Sequence, residues 1–270
     1  MIEIVPYNEQ ITCIKTATEQ DGSAIMFAYA FLIGDALFDV GCPNAIVEVR
    51  DYVAKKEINH VYITHSHEDH SGCSIIFEGS VPIYANELTQ KVMRNPPPYG
   101  EFFNFVWGQP EPVSKLSLLP SNFAIGDLNF EVVPLPGHTM EMVGFYEPEQ
   151  KWFFSADAVP LPSKKKIGQS DENIPQMIAT MDKILAMDID ILFDSHKGPI
   201  ESPHEYIRIR NDYLKETQQK ALELHQSGKS IEEIQQILQL EGPWYLEMTK
   251  GRFGIDFFIK SILFDKVVAI

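Results

Sequence analysis

Five of the eight histidines in this 270-residue chain fall into one ordered set. His65, His67 and His70 lie in the run Thr64-His65-Ser66-His67-Glu68-Asp69-His70, His138 and His196 follow at long intervals, and Asp157 stands between the last two. Imidazole and carboxylate in this number suffice for two metal ions, so the chemistry to expect is metal-assisted hydrolysis. In an extended turn, residues two apart point the same way, so His65 and His67 can grip one ion while Asp69 and His70, at the start of the next helix, turn toward a second. A carboxylate such as Asp157 can bridge both. Nitrogen and oxygen donors without thiolate suit Zn²⁺ and also Fe²⁺ or Mn²⁺.

The elements that must hold these residues read as short buried strands alternating with amphipathic helices. Residues 25–33, 36–39, 61–64, 128–135, 142–146, 152–155 and 191–193 are rich in β-branched or aromatic side chains and predict strands. Residues 45–56 and 174–185 carry apolar side chains at helical spacing. That alternation predicts an α/β layered fold. Asp39 closes a predicted strand, and His65, His138, Asp157 and His196 each lie past the end of one, where a rigid sheet can gather loops from distant sequence.

From Ser202 the pattern becomes helical. Ser202-Pro203-His204-Glu205 predicts a capped helix running to about Gln226, Ser230-Ile231-Glu232-Glu233 a second capping box, and residues 253–264 a third apolar segment. The expected organisation is a catalytic domain over residues 1–201 and a helical appendage over 202–270. Trp244, Tyr245 and residues 253–258 are expected either to line one wall of the substrate pocket or only to pack.

With 44% hydrophobic residues, the chain can bury a substantial core. It offers neither a signal-like amino terminus nor an uninterrupted apolar run of about eighteen residues, so a cytoplasmic protein without membrane attachment is expected. The formal charge of −16 opposes loose attraction to nucleic acid. Cys13, Cys42 and Cys73 are odd in number and widely spaced, which predicts small core residues rather than disulfides.

The chain resembles the metallo-β-lactamase fold superfamily, whose signature is His-x-His-x-Asp-His followed at intervals by His, Asp and His. The resemblance spans roughly residues 25–200 and implies a four-layer αββα sandwich. It implies that His65, His67 and His138 bind one metal, that Asp69, His70 and His196 bind the other, and that Asp157 bridges them. Asp39 in Phe38-Asp39-Val40-Gly41 matches the superfamily's supporting Asp-x-Gly. His67, where the diiron flavoprotein branch has glutamate, favours a hydrolytic branch. Pro160 replaces the tyrosine found in many homoserine-lactone lactonases. The tail lacks the glutathione-binding features of glyoxalase II and is more similar to the small β-lactamase-like protein 2 hydrolases, which include a ribonuclease.

Metal coordination lowers the pKa of water from about 15.7 to about 7, which provides a nucleophile without serine or cysteine, and Asp69 is the residue expected to shuttle a proton to the leaving group. The expected substrate is an ester, thioester or lactone of a small metabolite. A nucleic-acid phosphodiesterase and an iron-dependent oxidoreductase of the persulfide dioxygenase type are the alternatives. Lys164-Lys165-Lys166 and Lys197 form either a cationic rim for an anionic substrate group or a solvated loop. The aromatic segment over residues 99–107 forms either an apolar lid or part of the core. His60, His204 and His225 are read as ordinary structural residues.

Overall fold

The structure, a computed structural model, describes residues 1–264. The described chain forms two compact units interleaved along the sequence. The first comprises Met1–Pro134, Glu141–Ala156 and Asp190–Glu201; the second comprises Leu135–Met140, Asp157–Ile189 and the chain from Ser202.

Two mixed sheets build the first unit. One orders its seven strands as Ile2–Pro6, Ile11–Thr16, Ala28–Ile33, Ala36–Phe38, His60–Tyr62, Ile83–Ala85 and Ser117–Leu118. Its first four strands pair antiparallel, and pairing from Ala36–Phe38 onward is parallel. The other has six strands, Asn122–Ile125, Leu128–Pro134, Val143–Glu147, Trp152–Ala156, Ile191–Asp194 and Gly198–Ile200, with one parallel pair between the Trp152 and Ile191 strands. Period-two patterning fixes which face is buried: along Leu128–Pro134, Leu128 and Phe130 are buried while Asn129 and Glu131 are exposed.

The inward residues of both sheets form one aromatic core, with Phe31 and Phe38 from the first sheet meeting Phe130, Phe145, Phe154 and Phe193 from the second. The Phe38 ring packs edge-on to Phe130 and Phe154 at centroid distances of 5.1 and 4.9 Å, geometry that suits the aromatic quadrupole. Helices α1 (Ile46–Val53), α2 (Glu68–Ser71), α3 (Glu87–Arg94) and α4 (Glu101–Val106) belong to this unit.

The second unit packs helices α5 (Ile174–Leu185), α6 (Pro203–Gln226), α7 (Ile231–Ile237) and α8 (Ile255–Phe264) on one another. Its core takes Met177 and Met181 from α5, Ile207 and Leu214 from α6, Ile234 from α7 and Phe258 and Ile262 from α8. A two-stranded pairing of Gly168–Gln169 with Phe253–Gly254 ties the start of α8 to the loop before α5.

The strands and helices expected from sequence are present with ends shifted by a few residues, and α5 spans the expected residues. The Ser230 capping box forms, with Ser230 and Glu233 each accepting from the other's backbone N–H. The one expected at Ser202 does not. Ser202 has φ −120° and ψ 62°, away from the extended conformation that aims a cap hydroxyl at the helix, and it makes no side-chain cap bond. The aromatic segment folds as α4, with Phe103, Val106 and Trp107 buried and Phe105 exposed. All three cysteines are buried free thiols, and no helix among the described residues is long and apolar enough to cross a membrane.

Candidate metal centre

In the first unit, the donors of the Thr64–His70 run are organised around Asp39. Asp39 follows the Ala36–Phe38 strand in a left-handed conformation, φ +56°. Its Oδ1 accepts the Thr64 backbone N–H at 2.9 Å, and its Oδ2 accepts the Thr64 hydroxyl and His70 Nδ1–H, both at 2.8 Å. Having donated its only hydrogen to Asp39, the Thr64 hydroxyl accepts from His65 Nδ1–H, 3.0 Å away. The Nε2 atoms of His65 and His70 therefore carry lone pairs. Gly41 closes the turn at φ +80°; a Cβ there would lie 2.4 Å from the Thr16 side chain, so no larger residue fits.

His67 immediately precedes α2, and His65 Nε2 lies 3.2 Å from His67 Nδ1, so two imidazole nitrogens converge on one point. Asp69 Oδ2 is 3.6 Å from His70 Nε2 and 3.6 Å from His196 Nε2. His196 is reached through a turn at the end of the Ile191–Asp194 strand, where Asp194 Oδ1 accepts the His196 and Lys197 backbone N–H groups at 2.8 and 2.9 Å. Its Nδ1–H donates to the Phe27 carbonyl at 3.0 Å, which again assigns the lone pair to Nε2. The Trp107 ring packs 6.2 Å from the His196 ring. That places one residue of the aromatic segment beside a candidate ligand.

In the second unit, Gly137 leads into His138 at φ +143°, with its α-carbon so close to α5 that a Cβ would meet the Met177 backbone at 2.6 Å. The Gly137 carbonyl accepts Asn173 N–H at 2.8 Å, and the Pro136 carbonyl accepts the Thr180 hydroxyl at 2.7 Å. His138 Nδ1–H donates to Glu172 Oε1 at 3.0 Å, while His138 Nε2 lies 3.3 Å from Asp157 Oδ2. Lys165 Nζ is 2.9 Å from Glu172 Oε2. Burial would raise the Glu172 carboxyl, but the Lys165 ammonium and His138 outweigh it and hold its pKa at about 2. Burial would lower His138; the Glu172 hydrogen bond and the Asp157 charge reverse this and leave it raised. The loop after Asp157 is clamped by buried Arg210 of α6, which donates from Nε to the Pro160 carbonyl at 2.8 Å and from Nη2 to the Leu161 carbonyl at 3.3 Å.

Sequence reasoning did not find Glu172, Arg210 or the Phe27 carbonyl as supports, because none belongs to a motif and their partners are remote in sequence; Thr64 opens the histidine run, but its partner Asp39 lies on another strand end. Lys165 departs from both the rim and the solvated-loop readings: it is buried against Glu172, whereas Lys164 is exposed. His60, His204 and His225 lie outside both donor groups.

A divalent ion fits the donor chemistry. His65, His70, His138 and His196 each donate Nδ1–H to a carboxylate, hydroxyl or carbonyl, the arrangement that orients Nε2 for a metal. The histidine and aspartate donors form two clusters, consistent with a dinuclear metal site. In Asp69, His70 and His196 the ligand atoms lie within 4.8 Å of one another.

Residues 26–196 match the sequence family described as the metallo-beta-lactamase superfamily. The chain belongs to that superfamily. An uncharacterized protein of Aquifex aeolicus (strain VF5) is 25% identical over 178 residues, which cover 63% of this chain and 75% of the relative. Among solved structures, a metallo-beta-lactamase family protein from Thermus thermophilus superposes with a TM-score of 0.70 at 15% identity, covering 95% of this chain and 93% of that one. A beta-lactamase domain protein from Burkholderia ambifaria gives a TM-score of 0.70 at 13% identity, covering 96% and 88%. At these identities the superpositions establish a common fold: the mixed α/β metallo-β-lactamase fold, with two mixed sheets and C-terminal helices.

Proposed function

We propose that this superfamily member is a dinuclear metallohydrolase acting on an ester, thioester or lactone of a small metabolite. In this reading His65, His67 and His138 hold one divalent ion, most simply Zn²⁺, Asp69, His70 and His196 hold the second, and Asp157 bridges the two. The observation that carries it is the shared state of His65, His70, His138 and His196, whose Nδ1–H groups are engaged by protein acceptors so that Nε2 remains the ligand atom. Nitrogen and oxygen donors without thiolate match a hydrolytic divalent ion.

When bound, the ions supply an acidified water and a Lewis acid for the scissile carbonyl. The chain's own part is orientation and proton handling. Asp39 and Thr64 fix the tautomers of His70 and His65, and Asp69, with Oδ2 3.6 Å from both His70 and His196, would accept the proton released by the attacking water and return it to the leaving group. Trp107, itself buried, packs its ring beside His196. The pairing of Lys165 with Glu172 removes one cation from the loop that would otherwise favour a polyanionic substrate, and the charge of −16 points the same way.

The test is elemental analysis of protein purified without added metal, followed by a panel of nitrophenyl esters, acyl thioesters, lactones, a bis-aryl phosphodiester and a glutathione persulfide. Two ions per chain with turnover of an acyl substrate is the expected result. Fewer than one ion in metal-supplemented protein, or turnover of the phosphodiester or persulfide alone, overturns it.

A further inference from the structure

Glu172 is a carboxylate with 2% exposure, in the loop that enters α5. Both its oxygens are engaged. Oε1 accepts His138 Nδ1–H at 3.0 Å and Lys165 Nζ–H at 3.1 Å, while Oε2 accepts from Lys165 Nζ, 2.9 Å away, and from the Gln169 backbone N–H at 3.0 Å. Gly168 leaves room for this packing, since a Cβ there would lie 3.2 Å from Oε2 and 3.3 Å from the Phe258 backbone.

The backbone that carries the carboxylate is gripped as closely. Ser261 of α8, itself buried, donates its hydroxyl to the Glu172 carbonyl at 3.0 Å and accepts the Ile174 N–H at 2.8 Å. The Asn173 N–H bonded to the Gly137 carbonyl ties the same segment to the turn that presents His138. A continuous set of contacts thus runs from the C-terminal helix through Glu172 to one imidazole.

A buried lysine–glutamate pair is a weak source of stability, because desolvation of two charges offsets most of their attraction and an apolar pair of similar volume does as well. The shared carboxylate does something an apolar pair cannot: it fixes which nitrogen of His138 bears hydrogen and how the ring is turned. We infer that Glu172 is a positioning residue for metal binding, held in register by Lys165 and Ser261, and that it commits His138 Nε2 to the ion assigned to His138. Lys165 Nζ, bonded to both carboxylate oxygens, and the Gln169 N–H, bonded to Oε2, hold the acceptor in place beside His138. The C-terminal helices thereby act on the metal centre through α8 and Ser261.

This inference rests on the proposed role of His138 as a ligand, and the experiment separates the two. Apoprotein of the full chain is titrated with Zn²⁺ against a chromophoric chelator, and Co²⁺-loaded protein is examined by visible absorption, for wild type, Glu172→Gln, Lys165→Met, Ser261→Ala and the loop control Lys166→Met. Losing an outer-shell partner typically costs about 10–100-fold in metal affinity. Glu172→Gln is therefore expected to weaken one of two ions by that factor and to alter one Co²⁺ band set while the second ion binds as in wild type. Lys165→Met and Ser261→Ala should weaken the same ion to a smaller degree, and Lys166→Met neither ion.

Folded Glu172→Gln that binds both ions with wild-type affinity and an unchanged Co²⁺ spectrum overturns the inference. So does equal weakening of both ions, which marks a general structural role. Wild-type protein that binds fewer than two ions instead removes the dinuclear reading beneath it. If Glu172→Gln does not fold, Glu172→Asp decides: it keeps the charge beside Lys165 but is one methylene short of His138, so selective weakening supports the role and unchanged binding overturns it.

Discussion

His70 and Thr64 share one oxygen of Asp39: Oδ2 accepts His70 Nδ1–H and the Thr64 hydroxyl, each at 2.8 Å. Since the same hydroxyl accepts from His65, a single carboxylate at the end of one strand sets the tautomer of two candidate ligands. Asp39→Asn is the informative variant, because asparagine tolerates the left-handed backbone at this position but carries only one acceptor oxygen. It should lower affinity for the ion proposed to bind His70 by about 10–100-fold. Leaving a buried donor of Thr64 or His70 unsatisfied should also cost about 1–3 kcal/mol of stability. Metal titration and urea denaturation on the same preparation measure both.

Arg210 of α6 acts on the loop after Asp157. Its guanidinium donates to the carbonyls of Pro160, Leu161 and Tyr206 and lies over the Tyr206 ring, 3.6 Å from the centroid. Arg210→Met keeps most of the side-chain volume and removes every donor, so the expected loss is about 2–4 kcal/mol from buried carbonyls left without partners. Because the loop begins at Asp157, turnover should fall while the metal content at saturating Zn²⁺ stays near wild type. Loss of stability without loss of turnover would limit Arg210 to packing.

Gly137 offers a backbone test of the same unit. An alanine Cβ would collide with the Met177 backbone at 2.6 Å, and that contact cannot be relieved by a rotamer change. Gly137→Ala should shift His138 away from Glu172 and destabilise the protein by about 1–3 kcal/mol, with weaker metal binding. Gly126→Ala is the comparison. It also has positive φ, +57°, but nothing lies within 4 Å of its Cβ, so it should cost stability alone.

The ligand run and the strand ends were legible because they depend on local order. The strand over residues 152–156 opens with three aromatic residues and is buried throughout, and a chain that leaves a sheet there must do so next to Asp157. Helix α5 was legible to its ends because Ile174, Met177, Ile178, Met181 and Ile184 repeat at helical spacing and are buried. Helix α3 was not, since its inner face includes Thr89 and Gln90; the Gln90 amide is buried because it donates to the Ala85 and Ser117 carbonyls at 2.8 Å. The amino-terminal pair Ile2–Pro6 and Ile11–Thr16 was missed in part because the first is a largely exposed edge strand with little apolar alternation. Glu172 and Lys165 escaped for a related reason. Charged residues read by default as solvated, and what buries these two is a histidine 34 positions away from Glu172.

Removing metal should show how far the donors depend on it for stability. Asp69 stands near two imidazoles and Asp157 near a third. Any ion that binds the folded chain and not the unfolded one stabilises it by mass action, by about 2.7 kcal/mol when free metal is 100 times Kd. For a chain of this size, that corresponds to an increase in Tm of about 5–10 °C. Wild type and His60→Ala should both show it, because His60 lies outside both donor groups and contacts Tyr62 and Tyr84 at ring distances of 6.1 Å. Asp157→Ala should lose much of the shift and nearly all turnover while its metal-free Tm stays close to that of metal-free wild type. A Zn²⁺-induced shift in Asp157→Ala as large as that of wild type, measured by differential scanning calorimetry with and without chelator, would show that Asp157 is not a ligand.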